Sequence, residues 1–215
     1  RASRSFTREE VTMHWLREVV QPEDTVYDVG ANIGAYSLYA GNKLRNKGGI
    51  VYAFEPAFMN FFSLCKNIQA NGLNEVVIPF PLAICSENGP ETLFLSSLES
   101  GAALHGVHQA QSEGRTFSHK FIQGVYGASL SSFARSGDLR FPNHLKIDVD
   151  GYESEVIAGL GDVLESTELS SIMIEINEDT GAEIIESTLS HSGFVLAMKE
   201  EWPDKKTSNK LFVRA

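Results

Sequence analysis

Two aspartates that lie two residues apart, Asp148 and Asp150, occur in the segment LKIDVDGYES at positions 145–154. Successive residues of a strand face opposite sides of a sheet, so Leu145 and Ile147 would share one face and both aspartates the other. An unpaired buried carboxylate is costly, which predicts that these side chains meet solvent, a charged partner or a ligand at the end of the strand. A carboxylate there could take a proton from a hydroxyl, or several together could bind a hard cation such as Mg²⁺.

Glu175 and Asn177 follow in the apolar segment SSIMIEIN at 170–177, which predicts the next strand. Ligands of open α/β sheets bind beyond the carboxyl ends of the strands, so we expect Glu175 to lie near Asp148 and Asp150. We predict these three carboxylates as the catalytic groups. If a metal takes part, the same three are its candidate ligands; otherwise no metal site is predicted.

Structural roles compete with the catalytic ones in the same segment. Asp150 could cap a helix that begins at Tyr152, because aspartate is a favoured residue at that position. Lys146 lies on the same face of the strand as Asp148, and the two side chains could form an ion pair. His144 begins the strand, at the end opposite the predicted chemistry, and we expect it to be structural.

A glycine-rich turn, VYDVGANIGAYS at 26–37, is the most informative stretch of the chain. A strand that ends in Asp28 runs into Gly30 and Gly34, where a ligand can approach bare backbone before the helix begins. About 20 residues after the turn, Glu55 ends a second strand, where a carboxylate can accept hydrogen bonds from ribose hydroxyls. The turn and the spaced acid together predict nucleoside binding.

The turn departs from the GxGxxG pattern of dinucleotide-binding proteins, because Asn32 stands two residues after Gly30. The carboxylate of Asp28 would repel a pyrophosphate, whereas it suits a cationic ligand. S-adenosylmethionine carries a sulfonium, an ammonium group and a ribose, and has no phosphate. This contrast favours a methyltransferase over an NAD-linked oxidoreductase.

Strand and helix patterns alternate along the chain, which predicts an α/β fold with a doubly wound, mostly parallel sheet. We expect a single domain over 1–215 that opens with a helical segment at 1–23. A third strand is predicted over 75–84 and one helix over 152–165. Between them, the irregular segment 97–122 is predicted to be an insert after the third strand.

The insert contains three histidines, His105, His108 and His119. A loop histidine is more often a solvated surface residue than a catalyst. If the insert folds over the site, any of the three could act as a base or contact an acceptor.

Composition argues against a nucleic-acid-binding protein, a membrane-spanning protein and a disulfide-rich protein. The chain of 215 residues has a net charge of −10, which disfavours binding to the phosphates of nucleic acid. No apolar run approaches the roughly 20 residues of a membrane-spanning helix. Two cysteines, Cys65 and Cys85, form no disulfide framework or zinc pattern, and reduced thiols in a cytoplasmic protein are the expectation. The oligomeric state is left open.

Four motifs in order, VYDVGANIGAYS, AFEP, PLAICSENG and HLKIDVDGYESEVIAGL, resemble the FkbM-type class I methyltransferases over residues 24 to about 177. The resemblance implies a Rossmann-like sheet with a reversed final strand and S-adenosylmethionine as methyl donor. Asp150 departs mildly from the family pattern, which often has Glu there. The resemblance implies cofactor contacts from Asp28, Gly30, Asn32 and Gly34 at the methionine end, from Glu55 at the ribose and from Ala83 near the adenine. Ala31 and Pro56 are predicted as further cofactor-binding residues.

The resemblance implies O-methylation of a hydroxyl on a sugar, glycan or natural product, so a small-molecule or glycan acceptor is expected. Mg²⁺ is a possible second cofactor, because clustered carboxylates can bind it and it would acidify a hydroxyl. Two alternatives remain open: an NAD-linked oxidoreductase, and a non-catalytic nucleoside-binding protein on the same fold.

Overall fold

A computed structural model describes residues 9–103, 105–107, 111–112, 115–179, 181–202 and 206–215. The helices are α1 (Glu10–His14, continued by a π-helical turn over Trp15–Val19), α2 (Ala35–Leu44), α3 (Phe58–Ala70), α4 (Leu130–Ser136), α5 (Glu153–Ala158), α6 (Asp162–Glu165) and α7 (Ala182–His191). The strands are β1 (Thr25–Val29), β2 (Ile50–Phe54), β3 (Val77–Phe80), β4 (Leu82–Ile84), β5 (Gly89–Leu95), β6 (Gly106–Val107), β7 (Gln111–Ser112), β8 (Arg115–Thr116), β9 (Phe121–Ala128), β10 (His144–Ile147), β11 (Ser171–Asn177), β12 (Phe194–Glu201) and β13 (Thr207–Arg214).

Seven strands form the main sheet in the order β12-β13-β11-β10-β1-β2-β3. Strand β13 runs antiparallel to both of its neighbours, and the pairs from β11 to β3 are parallel. The predicted doubly wound, mostly parallel α/β fold with a reversed final strand is therefore confirmed. This topology brings the carboxyl ends of β1, β2, β10 and β11 to one edge of the sheet.

Apolar side chains cover both faces of this sheet, as expected when helices pack on each side. Val26 and Met173 belong to one buried cluster, together with Trp15 of the N-terminal segment. Their sequence neighbours Tyr27 and Ile172 belong to the other cluster, on the opposite face. The alternation fixes which face each strand residue occupies, and therefore which polar residues reach the edge.

The strand predicted over 75–84 is two strands that belong to two sheets. Strand β3 ends at Phe80 in the main sheet, and β4 begins at Leu82 in a second sheet of order β4-β9-β5-β6. Pro81 lies at the break, where the missing N–H removes a donor that a continuing strand would need. The prediction of one continuous strand is wrong. Strands β5 and β9 pair along their length and frame the predicted insert.

The helix predicted over 152–165 is also divided, into α5 and α6. A Cβ atom on Gly159 would lie 2.1 Å from the backbone oxygen of Cys85, and Gly161 has a φ of +45°. The chain therefore turns between α5 and α6, where Gly159 lies against the backbone of Cys85. The prediction of a single helix is wrong, although both halves are helical.

The N-terminal segment packs against the main sheet. Helix α1 begins at Glu10, and Nδ2 of Asn209 donates to Oγ1 of Thr12 (3.2 Å). Residues 1–8 of the helical segment predicted at 1–23 lie outside the described residues. Within the described part of the chain, no helix is long and apolar enough to cross a membrane. Cys65 and Cys85 are free thiols.

Candidate active site

The turn after β1 is held by the backbone of β2. The amides of Gly30 and Ala31 both donate to the carbonyl oxygen of Phe54, each at 3.0 Å. Gly30 has a φ of +78°, and a Cβ atom there would lie 1.8 Å from the backbone oxygen of Asp148. Glycine is required at this position, because the turn passes directly against the end of β10.

Glu55 follows β2 and is buried beside this turn. Its Oε2 accepts from the backbone amide of Asn32 (2.8 Å), and its Oε1 accepts from that of Ala57 (2.9 Å). Burial raises the pKa of Glu55 to about 7, although these two amides oppose the shift. The carboxyl group is therefore anchored to the turn and titrates near neutral pH.

A cavity of about 150 Å³, called here the β1–β2 cavity, opens above these residues. Its walls include five of the predicted cofactor-binding residues: Gly30, Asn32, Glu55, Pro56 and Ala83. Phe54, Leu82, Ile84 and Leu93 add apolar surface. The cavity combines an apolar wall with a few polar groups, which is typical of small-molecule sites.

Three predicted cofactor-binding residues do not line this cavity. Gly34 precedes α2 and has a φ of +92°, with the side chain of Leu64 2.5 Å from where a Cβ atom would lie. Ala31 is buried in the turn. Asp28 is buried below the turn, where its Oδ2 accepts from Oγ of Ser37 (2.5 Å).

Lys146 links the two aspartates at the ends of β1 and β10. The register pairs Asp28 with Lys146, so their side chains share a face of the sheet. Nζ of Lys146 lies 3.3 Å from Oδ1 of Asp28 and 3.5 Å from Oδ2 of Asp148. Burial opposes the charge of the amine, but the carboxylates of Asp28, Asp148 and Glu9 outweigh it and raise the pKa of Lys146. The predicted Lys146–Asp148 pair is confirmed as part of a three-member charged ladder.

A small second pocket, called here the acidic pocket, lies at the ends of β10 and β11. Its volume is about 10 Å³, and all three predicted catalytic carboxylates border it. Its lining is Asp148, Asp150, Gly151, Glu153, Glu175, Asn177 and Thr207. Asp148 and Asp150 also line the β1–β2 cavity, so the two spaces adjoin at these aspartates.

The turn between β10 and α5 has an unusual backbone. Asp150 has a φ of +56°, in the left-handed region that non-glycine residues seldom adopt. Helix α5 begins at Glu153, and its N-terminal cap is Tyr152, with no side-chain capping hydrogen bond. The predicted capping role of Asp150 is therefore wrong.

Glu153 folds back onto this turn. Its Oε1 accepts from the backbone amides of Val149 (3.3 Å) and Gly151 (3.0 Å). Burial raises the pKa of Glu153 to about 7. A fourth carboxyl group, from the first turn of α5, therefore borders the acidic pocket.

Part of the predicted insert lies against the β1–β2 cavity. The carbonyl oxygen of Ala102 accepts from Nδ2 of Asn32 (3.1 Å) and from Nδ2 of Asn60 (3.0 Å). The amide of Gly101 donates to Oδ1 of Asn60 (2.8 Å). The insert is thus tied to the turn after β1 by Asn32, and to α3 by Asn60, a buried asparagine that the sequence analysis missed.

The three histidines of the insert have different positions. His105 lines the β1–β2 cavity, and its Nδ1 lies 3.3 Å from Oγ of Ser96. Burial lowers the pKa of His105, which favours the neutral form of the ring. The ring of His119 contacts that of Phe94 instead, with centroids 5.3 Å apart. His108 lies outside the described residues.

The predicted Mg²⁺ site gains no support from the side-chain arrangement. Among the residues that the structure describes, no group of three or more histidine, cysteine, aspartate or glutamate side chains is arranged to hold a metal ion. Asp148, Asp150 and Glu175 border one pocket, but proximity to a pocket does not by itself give a coordination sphere.

Several solved structures share this architecture. The chain superimposes on a methyltransferase FkbM from Methylobacillus flagellatus with a TM-score of 0.60 and 12% identity, covering 90% of this chain and 44% of that one. It superimposes on the fibrillarin of Aeropyrum pernix, solved with bound S-adenosyl-L-methionine, with a TM-score of 0.57 and 12% identity, covering 97% and 76%. The fold is the Rossmann-like fold of class I methyltransferases.

The family follows from sequence. Residues 28–196 match the model of the methyltransferase FkbM domain, and the chain belongs to this family. The hexuronic acid methyltransferase AglP of Haloferax volcanii is 29% identical over 190 residues, which are 88% of this chain and 71% of that protein. The 31-O-demethyl-FK506 methyltransferase FkbM of Streptomyces tacrolimicus is 27% identical over 212 residues, with 87% and 79% covered.

The family decides between the alternatives left open by the sequence. The chain is a methyltransferase of the FkbM family, and the NAD-linked oxidoreductase and the non-catalytic nucleoside-binding protein are set aside. The resemblance noted from four motifs is confirmed.

Proposed function

We propose that the protein transfers a methyl group from S-adenosylmethionine to a hydroxyl of a sugar, glycan or natural product. One observation carries the proposal: the β1–β2 cavity adjoins the acidic pocket, and Asp148 and Asp150 line both. A donor bound in the first space would meet, at these two aspartates, a hydroxyl group of the acceptor; the second space of about 10 Å³ fits such a group and not the whole acceptor.

The lining of the β1–β2 cavity fits S-adenosylmethionine. It offers the carboxyl group of Glu55 and the side chains of Asn32 and Asn60, and the described lining includes no lysine or arginine that would bind a phosphate. When bound, S-adenosylmethionine supplies a methyl group on a positively charged sulfur. In this proposal Glu55 binds the ribose hydroxyls, the Gly30 turn borders the methionine end, and Ala83 with its apolar neighbours contacts the adenine.

Asp28 has an indirect role in this proposal. Its carboxylate lies 3.3 Å from the amine of Lys146, which in turn lies 3.5 Å from Asp148. The ladder fixes the end of β10 relative to the turn after β1. Asp28 and Lys146 thereby orient Asp148 at the boundary between the two spaces.

Asp148 is the proposed general base. Its side chain is 35% exposed, so a proton that it accepts can pass to solvent. The acceptor hydroxyl loses its proton to Asp148 as its oxygen forms the bond to the methyl carbon. Asp150 and Glu175 border the same pocket and are proposed to accept hydrogen bonds from neighbouring hydroxyls of the acceptor.

The charge of the acidic pocket favours a neutral acceptor. Its described lining carries four carboxyl groups and no basic side chain, and an acceptor carboxylate would be repelled there. The name of the Haloferax relative refers to a hexuronic acid, and that of the Streptomyces relative to an O-demethylated natural product. On the charge of the pocket we propose a hydroxyl of a neutral sugar or natural product as the acceptor, which differs from the hexuronic acid in the name of the Haloferax relative.

The setting of the reaction is also a proposal. The net charge of −10 disfavours nucleic acid as acceptor, because it would repel the phosphates. The two free thiols are consistent with the proposed cytoplasmic location. Mg²⁺ is not required by the proposed mechanism, and the binding experiment below includes it as a variable.

Calorimetry with S-adenosylmethionine and with NAD, each with and without Mg²⁺, tests the donor. We expect S-adenosylmethionine to bind and NAD not to bind, with no change on addition of Mg²⁺. Methyl transfer from labelled donor to matched acceptors, such as a glucoside and the corresponding glucuronide, then tests the acceptor. Faster transfer to the glucuronide would contradict the neutral-acceptor proposal, and transfer that requires Mg²⁺ would replace Asp148 with the metal as the activating group.

A further inference from the structure

We infer that Glu153 is a positioning residue for the two aspartates at the boundary between the β1–β2 cavity and the acidic pocket. This inference rests on the proposed function, because it assigns Glu153 to the same methyl-transfer site. The side chain holds the backbone on both sides of Asp150, and thereby the direction of the carboxylates of Asp148 and Asp150.

The contacts of Glu153 are made by one oxygen. Oε1 accepts from the amide of Val149 at 3.3 Å and from that of Gly151 at 3.0 Å. These amides flank Asp150, whose φ of +56° a non-glycine residue adopts where its surroundings hold it. These two hydrogen bonds, called here the bracket, hold the backbone on both sides of Asp150, the non-glycine residue of the turn whose φ is left-handed.

The turn needs such a bracket because regular structure stops on both sides of it. Strand β10 ends at Ile147, and α5 begins only at Glu153. The amide of Asp148 still donates to the carbonyl oxygen of Val29 (3.1 Å), which continues the sheet by one residue. Beyond that point, the bonds from Glu153 to Val149 and Gly151 hold the backbone near both cavities.

A catalytic role for the Glu153 carboxyl itself is the competing explanation, because this group also borders the acidic pocket. The two roles differ in what they require of the side chain. Positioning requires one acceptor oxygen at the place of Oε1, and the amide of glutamine supplies it. Proton transfer requires a carboxyl group, which glutamine lacks.

Glu153→Gln, Glu153→Ala and Glu155→Ala form the matched set of variants. Glu155 is a second acid of the first turn of α5, it is exposed, and it bonds Ser86 outside both spaces. We expect Glu153→Ala to lower kcat at least tenfold. Glu153→Gln should stay within about threefold of wild type, and Glu155→Ala within about twofold.

The result that would overturn the inference is a folded Glu153→Gln protein as inactive as Glu153→Ala, which would assign the carboxyl group to proton transfer. Unchanged kcat in both variants would overturn it as well.

Amide hydrogen exchange tests the positioning without any methyl acceptor. We expect the amides of Val149 and Gly151 to be protected in wild type and in Glu153→Gln, and to exchange at least tenfold faster in Glu153→Ala. Unprotected amides in wild type would refute the bracket even if Glu153→Ala cannot be purified. A wild-type protein that methylates no acceptor while both amides stay protected would count against the proposed function and leave the bracket intact.

Discussion

Strand β10 carries buried polar groups at both ends, and the two ends are built differently. At the amino end, Nε2 of His144 lies 2.7 Å from Oδ2 of Asp24, and its Nδ1 lies 2.7 Å from Oγ of Ser171. Nε1 of Trp15 donates to the same hydroxyl oxygen at 2.8 Å. Burial would raise the pKa of Asp24, but the hydrogen bond from His144 and that from the amide of Gln21 hold it below its usual value.

At the carboxyl end, the ladder of Asp28, Lys146 and Asp148 reaches the edge of a cavity instead of ending on a further protein partner among the described residues. It begins at a buried carboxylate and ends at Asp148, which borders two connected spaces. The comparison teaches that a buried charge on a strand is not by itself a sign of function. A network in which each member has a protein partner stabilises the fold, whereas one that ends at a cavity can act on a ligand.

Asp148→Ala is expected to have the largest effect on catalysis, and it therefore separates the roles of the two ends of β10 most clearly. Loss of the proposed base should lower kcat by about 10²–10⁴-fold, the usual contribution of a general base. The Kd of S-adenosylmethionine should change little, because Lys146 keeps Asp28 as its partner. Steady-state kinetics and calorimetry measure the two effects, with the exposed Asp162→Ala as control. A fully active Asp148→Ala protein would remove Asp148 from the mechanism.

Gly30→Ala tests whether the turn after β1 depends on its close contact with β10. The added Cβ would lie 1.8 Å from a backbone oxygen that cannot move aside, so we expect donor binding to weaken by about 10–100-fold. Gly72→Ala is the matched control, since Gly72 also has a positive φ (+62°) but has open space around it. Equal effects of the two substitutions on donor binding would break the assignment of the turn to the donor site.

Glu55→Gln is expected to weaken donor binding by about tenfold, the cost of losing a charged acceptor of hydrogen bonds. The pKa of about 7 adds a pH dependence: the ionised carboxylate accepts from ribose hydroxyls, so affinity should rise between pH 6 and 8. The sign for folding is opposite: the unfolded chain ionises Glu55 near its ordinary pKa of 4.5, so the free energy of unfolding falls as pH rises from 4.5 to about 7 and levels off above that. Calorimetry across this range should find a flat profile in the variant; a flat wild-type profile would contradict the assignment.

His144→Ala should have the smallest effect on catalysis. Removing the ring takes one hydrogen-bond partner from Asp24 and one from the buried Ser171, which keep the amide of Gln21 and Nε1 of Trp15, respectively. This loss costs about 2–4 kcal/mol and lowers Tm by roughly 5–10 °C. At 25 °C kcat should stay within about twofold of wild type. Thermal unfolding and kinetics on the same sample check both parts, and a large loss of kcat in folded protein would show that the two ends of β10 are coupled.

The sequence was sufficient for those parts of the site that depend on local motifs. Gly30, Glu55 and Asp148 each follow directly after an apolar strand, and the topology of parallel sheets brings such residues to one edge. The structural expectation for His144 followed from the same rule, because the residue begins its strand. These predictions needed no knowledge of side-chain packing.

The remaining parts depend on contacts between distant segments. The role of Asn60 rests on a bond to Ala102, and the ladder through Lys146 to Asp28 rests on the register of two strands that are far apart in sequence. The break at Pro81 separates two sheets that one apolar run had suggested to be a single strand. Glu153 fits a first-turn helix acid equally well, and the left-handed turn that it brackets cannot be read from composition.

The most direct test of the central claim compares Asp148→Ala and His144→Ala in one methyl-transfer assay. Both variants are measured at 25 °C with saturating S-adenosylmethionine and the acceptor found for wild type. We predict that Asp148→Ala loses at least about 100-fold in kcat with Tm near that of wild type, while His144→Ala keeps its kcat and loses thermal stability. Full activity of Asp148→Ala, or a comparable loss of kcat in both variants, would contradict the distinction between the two ends of β10.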